Sequence, residues 1–326
     1  MTVSTAYLCE ACGQGIRILE YRSLDGLAIV PESIDGKTVI SLAPYLFSIH
    51  ENYNDEPHTG AFWWSAVKER VSVEEIKDLP QVKGDFLTEL RLPCGLRQVG
   101  AYALYNCGCL KRLELYSTTL DWGTGVFTGC VNVKELVIHA DESVRSCLKE
   151  ILAELKHTLT VTYDGAGKAV LIFPEFFEEA VENTPARILV TDTHGCGQRY
   201  RNAFVQTQFQ FKEYDRLFPH VQVQEPEELA VKLALGRVMN PYGLAGEYRE
   251  RYMEYLTGHR VSAACQAAQR EELDILGWLL REIPYEEKDL KTVIEAAGKS
   301  GSMAAVSLLM DKANMERKGR RRRFSL

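Results

Sequence analysis

The residues whose types could do chemistry fall close together between positions 173 and 201. Glu175, Asp192, His194 and Cys196, with Arg187, Arg199 and Arg201, bring an acid, an imidazole, a thiol and cations into one stretch. A thiol beside an imidazole, with a third group to orient the ring, is the arrangement that makes a thiolate nucleophile. His194, Cys196 and Glu175 are therefore the catalytic candidates. Closeness in sequence does not pair side chains in space, however, and Gly195-Cys196-Gly197 also reads as a turn whose glycines serve positive φ or close backbone approach. No nucleophile elbow, phosphate loop, dinucleotide fingerprint or HExxH is present. The preferred alternative is structural: Arg187, Arg199 and Arg201 pair with Glu175, Glu182 and Asp215. No catalytic residue is assigned on this reading, and an enzyme with its site here is the alternative.

A second candidate is Cys9 with Cys12, a lone CxxC. A structural zinc site needs four ligands, and no second CxxC or HxxxH accompanies it, so no metal and no cofactor is expected. The nine cysteines are odd in number and scattered, which suits reduced thiols in a reducing compartment. Residues 1–12 lack the basic start and long apolar run of a signal peptide. No run of 18 apolar residues offers a membrane span. The expectation is a cytoplasmic protein. At 46% hydrophobic and 25% charged residues the 326-residue chain has an ordinary globular composition, and a net charge of −7 argues against wholesale binding to nucleic acid.

The strongest pattern is a repeat. Residues 87–92, 110–115 and 133–138 share an LxxLxL core, and each copy starts 23 residues after the last. Such a period with such a core marks a solenoid, in which one strand and one turn per unit bury their apolar faces only by stacking. At the usual strand spacing of about 4.8 Å, Leu90, Leu113 and Leu136 form one buried column and Leu92, Leu115 and Ile138 another. The outward columns read Glu89, Arg112, Glu135 and Arg91, Glu114, Val137. Neighbouring charges in these columns have opposite sign, so the face satisfies itself. Glu89, Arg91, Arg112 and Glu114 are still kept as candidate binding residues, with Trp63 and Trp64 from an aromatic cluster weighted towards packing.

Leu92-Pro93, Val99-Gly100-Ala101-Tyr102-Ala103-Leu104-Tyr105-Asn106-Cys107 and Leu110, repeated in Gly125-Val126-Phe127-Thr128-Gly129-Cys130 and Val133, resemble the BspA-type leucine-rich repeat. An upstream copy runs from residue 29 to 47, with Asp35-Gly36 as a turn. The resemblance covers roughly residues 15–140. It implies protein–protein or cell-surface binding, and many family members are secreted.

Along the chain, residues 1–14 read as a loosely held lead-in, and 49–86 as an insertion into the repeat with a short helix near 73–76. An amphipathic helix over 142–157 caps the repeat. Residues 158–163 and 169–173 form a hairpin, 174–182 read as helical and 187–191 as a strand. Helices are expected over 226–239, 244–257, 259–269, 272–282, 286–299 and 302–312. Within them, residues 267–280 align with 296–309 at a step of 29, and the paired small residues and Leu-Leu pairs resemble ankyrin helical hairpins without the TPLH turn.

The fold class is thus α+β and multidomain: a leucine-rich-repeat β-solenoid over 1–145, a small α/β connector over 146–223, an all-α helical-repeat domain over 224–315 and a basic tail over 316–326. Blocks like Arg317, Lys318 and Arg320, Arg321, Arg322 and Arg323 are usually solvated and irregular, though they can touch polyanions. The expected function is a bacterial, non-catalytic interaction scaffold with a protein partner.

Overall fold

The computed structural model describes residues 3–50, 60–141, 145–183 and 188–323, with backbone only for 181–183, 188–190 and 316–323. The chain divides into two compact units, Met1–Tyr214 and Asp215–Leu326.

The first unit is a β-solenoid. It opens with an antiparallel hairpin, β1 (Thr5–Cys12) and β2 (Gly15–Ser23), followed by β3 (Leu27–Ile29), β4 (Ser33–Ile34) and β5 (Lys37–Leu42). Residues 5–12 of the expected loose lead-in are therefore a paired strand; residues 1 and 2 lie outside the described part. The pairing partners of β1 lie in β2 and in a strand more than fifty residues away, which local composition does not report. Asp35 and Gly36 have φ of 49° and 72°, the conformation a tight hairpin between β4 and β5 requires.

Strands β6 (Phe62–Ser65) and β7 (Glu69–Val71), with helix α1 (Val73–Ile76), come from the stretch that interrupts the repeat. They extend the first sheet through β1 rather than standing apart. Then come β8 (Glu89–Arg91), β9 (Gln98–Val99), β10 (Arg112–Tyr116), β11 (Asp121–Trp122), β12 (Glu135–His139), helix α2 (Leu148–Glu154) and the hairpin β13 (Leu159–Asp164) with β14 (Lys168–Phe173). The amphipathic helix is shorter than the periodicity predicts. It begins at Leu148, and residues 142–144 lie outside the described part.

Two sheets line the coil. One runs β11-β9-β5-β2-β1-β6-β7 with β4 on β5, the other β14-β13-β12-β10-β8-β3. In the second, β3, β8, β10, β12 and β13 are all parallel. The register sets Glu89 beside Arg112 and Arg112 beside Glu135, and Leu90, Leu113 and Leu136 in one row, as the 23-residue step requires; β13 extends that row with Val161, 25 residues after Leu136. That row is fully buried. The turns repeat as well. Tyr102 and Gly125 share a left-handed φ, as do Asn106 and Gly129, each pair 23 residues apart. The ring of Tyr102 lies over Gly125, where an added Cβ would come within 2.8 Å of its Cδ1.

Both edges of the six-stranded sheet are closed by tyrosine hydroxyls. At β3, Tyr21 donates to the Leu27 carbonyl (3.0 Å) and Tyr7 to the Ile29 carbonyl (2.6 Å). Carbonyls two residues apart on a strand point the same way, so these two hydroxyls cover one edge. Burial raises the pKa of both phenols and keeps them donors. At β14, the Tyr214 hydroxyl accepts from the Ile172 N–H (2.8 Å) and donates to the Ile172 carbonyl (2.7 Å).

After β14 the sequence suggests a helix over 174–182. The structure has a strand there: β15 (Phe177–Asn183) pairs antiparallel with β16 (Ile188–His194) in a separate two-stranded ribbon. Glutamate-rich local propensity gives way to cross-strand pairing. Helix α3 (Gly197–Arg201), the short hairpin β17 (Phe204–Val205) and β18 (Gln208–Phe209), and α4 (Phe211–Arg216) follow.

The second unit is helical: α5 (Phe218–Gln224), α6 (Glu227–Met239), α7 (Gly246–Gly258), α8 (Arg260–Gln269), α9 (Leu273–Glu282), α10 (Glu287–Ser300) and α11 (Met303–Arg323). Helix α8 packs on α9 and on α10, and α11 on α10 and on α9. The two hairpins correspond at a step of 30 rather than 29. Glu272 N–H donates to Ala267 O (2.9 Å) and Ser302 N–H to Ala297 O (3.2 Å), after left-handed Glu271 and Gly301. Leu279 and Leu309 then occupy matching, fully buried positions. The step is 30 on both sides of the turn, so the hairpins match with the sequence alignment shifted by one residue. The backbone of the basic block is helical to Arg323, where the sequence suggests an irregular tail; residues 324–326 lie outside the described part.

Candidate functional site

The charged face of the six-stranded sheet is built by register alone. Arg112 is surrounded by three carboxylates, Glu135 at 3.0 Å, Glu89 at 3.3 Å and Glu114 at 3.5 Å. Arg91 contacts Glu89 at 2.8 Å and Glu114 at 3.8 Å. The next row adds His139, whose Nε2 lies 2.9 Å from Glu114 and whose Nδ1 lies 3.3 Å from Asp164. Its ring stacks on Tyr116 at 4.7 Å. Partial burial alone would raise the Glu114 carboxyl, but His139, Arg91 and Arg112 outweigh it and hold it below its ordinary value. The Arg112 guanidinium, which burial would lower, is raised instead by Glu135, Glu89 and Glu114. Each candidate residue of this face thus spends its charge on a neighbour. Such partly exposed pairs contribute about 0.2–1 kcal/mol each.

The catalytic candidates fall into different surroundings. His194 is exposed on the ribbon, stacked on Phe177 at 4.6 Å with its Nε2 3.3 Å from Glu179. Cys196 is fully buried just before α3. The Glu175 side chain is exposed. What approaches the Gly-Cys-Gly turn is its main-chain carbonyl, 2.6 Å from where a Cβ on Gly195 would sit and 2.7 Å from one on Gly197. Gly195 also has φ of +83°. The turn needs both glycines for the backbone reasons the sequence suggests.

Two of the expected ion-pair members, Arg201 and Asp215, find other partners. Arg201 is buried and donates to main-chain carbonyls of Leu152, Leu155, His157, Pro174 and Gly197, while its guanidinium packs against Phe176. Burial lowers its pKa to about 10. It closes the end of α2 instead of meeting a carboxylate side chain. Asp215 pairs with Arg237, at 2.8 Å and 2.9 Å, and accepts from the Tyr252 hydroxyl at 2.9 Å, within the helical unit. The sequence does not give these two partners because the carbonyls and helices converge only in the fold. The side chains of Glu182 and Arg187 lie outside the described part.

Trp64 is buried with its ring 5.8 Å from Tyr7. Trp63, on the other face of β6, packs on the cluster of Val3, Ala6, Val71, Ile76 and Leu79, with Arg22 over its ring. All nine cysteines are free. Cys107 and Cys130, one step apart, are buried neighbours, and the hydrogen bond to Cys130 together with burial raises the Cys107 thiol well above its ordinary pKa. Among the described residues no three His, Cys, Asp or Glu side chains are grouped to hold a metal ion. A groove of about 450 Å³ lies between residues 127–131 and 153–157. Its ionisable groups are committed: Glu154 accepts from the Phe127 N–H, Lys156 pairs with Glu178 and His157 meets the Val133 carbonyl.

Among solved structures, the crystal structure of a leucine-rich-repeat protein from T. pallidum is similar to this chain at 18% identity, over 49% of this chain and 61% of that one, with a TM-score of 0.28. This chain therefore spans less than two thirds of that protein's length. No protein-family model matches the sequence. No curated protein matches it either.

Sequence reasoning missed His139 and Asp164 as members of the charged face. The signal for His139 was available, since it stands 23 residues after Tyr116. Asp164 comes from a hairpin outside the repeat and carried no such signal. No helix of the described residues is long and apolar enough to cross a membrane.

Proposed function

We propose that this chain is a non-catalytic interaction protein, a BspA-type leucine-rich-repeat module followed by ankyrin-like helical hairpins, that binds a protein partner in a bacterial cytoplasm. The single observation that carries the reading is the commitment of its reactive side chains. On the repeat face, acids, arginines and the imidazole neutralise one another, and in the Gly-Cys-Gly turn the thiol is buried while the imidazole is exposed. General acid–base or nucleophilic work needs such groups converged on one open site. Repeat stacks instead offer extended, rigid surfaces for recognition.

Cross-linking in the native host followed by mass spectrometry tests the reading. Reproducible cross-links from both repeat units to one protein are expected. Iodoacetamide labelling tests its non-catalytic part. Cys196 should stay unlabelled in the folded protein across pH 6–9, whereas rapid labelling near neutrality would replace this reading with an enzyme.

A further inference from the structure

We propose that the ribbon β15–β16 is a docking arm that receives an extended basic segment of the partner protein as a third strand; this rests on the interaction reading above.

The argument starts from the sheet edges. In the six-stranded sheet both ends are closed by tyrosine hydroxyls, at Leu27 and Ile29 on one side and at Ile172 on the other. The ribbon has no comparable closure among the described residues. Among the described residues it contains two strands and joins no third. Its described side chains face solvent on both sides, at 177–180 and 191–194, and Phe177 is 55% exposed. Two strands alone are marginally stable in water, and a third strand is what such a ribbon lacks. Addition of a peptide strand to a free edge is a general recognition mode, with main-chain bonds supplying affinity and side chains supplying choice.

Charge selects the guest. Cross-strand register puts Glu179 directly opposite Asp192, and like charges so placed repel. Glu178 and, by sequence, Glu182 add two more acids to the arm; Lys156 meets Glu178 and His194 meets Glu179, while Asp192 adds a further acid opposite Glu179. A lysine or arginine on an added strand, about 5 Å from its neighbour on the ribbon, relieves that repulsion. The stacked Phe177 and His194 rings at the base provide an apolar shelf for an alternating partner residue. The fitting ligand is thus an extended segment alternating basic with apolar or β-branched residues.

The test uses the full chain and a labelled nine-residue peptide alternating Lys and Val, with a Glu/Val peptide as control. Fluorescence anisotropy should show saturable binding of the Lys/Val peptide alone, weakening as salt rises. Amide exchange should slow within 177–183 and 188–194. Glu179→Gln with Asp192→Asn should weaken binding about tenfold and, because it removes repulsion, leave the arm at least as well formed. Binding unchanged in that double variant, protection elsewhere on the chain, or no saturable binding each overturns the docking arm. If native cross-links still join the chain to one protein away from the ribbon, the interaction reading survives and the arm alone fails.

Discussion

The strand unit and the helical unit both place charges by repetition and packing, but they spend them differently. Along the sheet, adjacent rungs carry Glu89, Arg112 and Glu135, with Arg91, Glu114 and His139 beside them, so every one of these groups except Glu135 has two or more partners at the surface. In the helical unit Asp215 and Arg237 are completely buried and meet as one bidentate pair, with Tyr252 as the additional donor to Asp215. Rungs about 4.8 Å apart bring every column into contact, whereas helices 8–10 Å apart meet through single long side chains. Redundant exposed pairs tolerate loss; a fully buried pair does not.

The largest effect should therefore come from the helices. Asp215→Ala leaves a buried guanidinium without its counter-charge and should cost about 3–5 kcal/mol, read as a fall in urea midpoint. Leu113→Ala, in the fully buried row, should cost about 2–5 kcal/mol by the same measurement. A loss as small at Asp215 as at an exposed ion pair would break the comparison outright.

Smaller effects sharpen it. Gly125→Ala forces a left-handed residue and pushes on the Tyr102 ring, so a cost of about 1–2 kcal/mol is expected, with the Tyr45–Tyr102 stack perturbed in near-ultraviolet circular dichroism. Glu114→Ala should cost under about 1 kcal/mol. Its pH dependence has a definite sign. The folded carboxyl titrates lower than the unfolded one, so its contribution is present above about pH 4.3 and is lost as pH falls through the folded value. The difference in urea midpoint between parent and Glu114→Gln should thus shrink from pH 6 towards pH 3. A gap that widens on acidification would mean the carboxylate is not held by His139 and the arginines.

What the sequence makes legible follows from how local each cause is. The pairings of Arg112 with Glu135 and of Leu113 with Leu136 follow from a period, and a period is written in one dimension. The bounds of α6 to α10 follow from apolar spacing and local stops such as left-handed Gly301. The strand at Thr5–Cys12, the ribbon at Phe177–Asn183 and the carbonyl cage around Arg201 depend on partners far along the chain. At Glu175, His194 and Cys196 the residue types were plain, but burial, which separates the thiol from the imidazole, is a property of the fold.

The hydroxyl of Tyr214 has a consequence for how such a molecule can change over generations. A stack of identical rungs has no natural length; each new strand offers the next one the same template. Here the count is set by the stoppers, Tyr7 and Tyr21 at one end and Tyr214 at the other, and not by the repeated unit. A duplicated 23-residue segment slipped in between them would lengthen the surface while both terminators kept their contacts. Repeat number is thereby free to drift with recognition, and finite size is inherited separately, in three oxygen atoms.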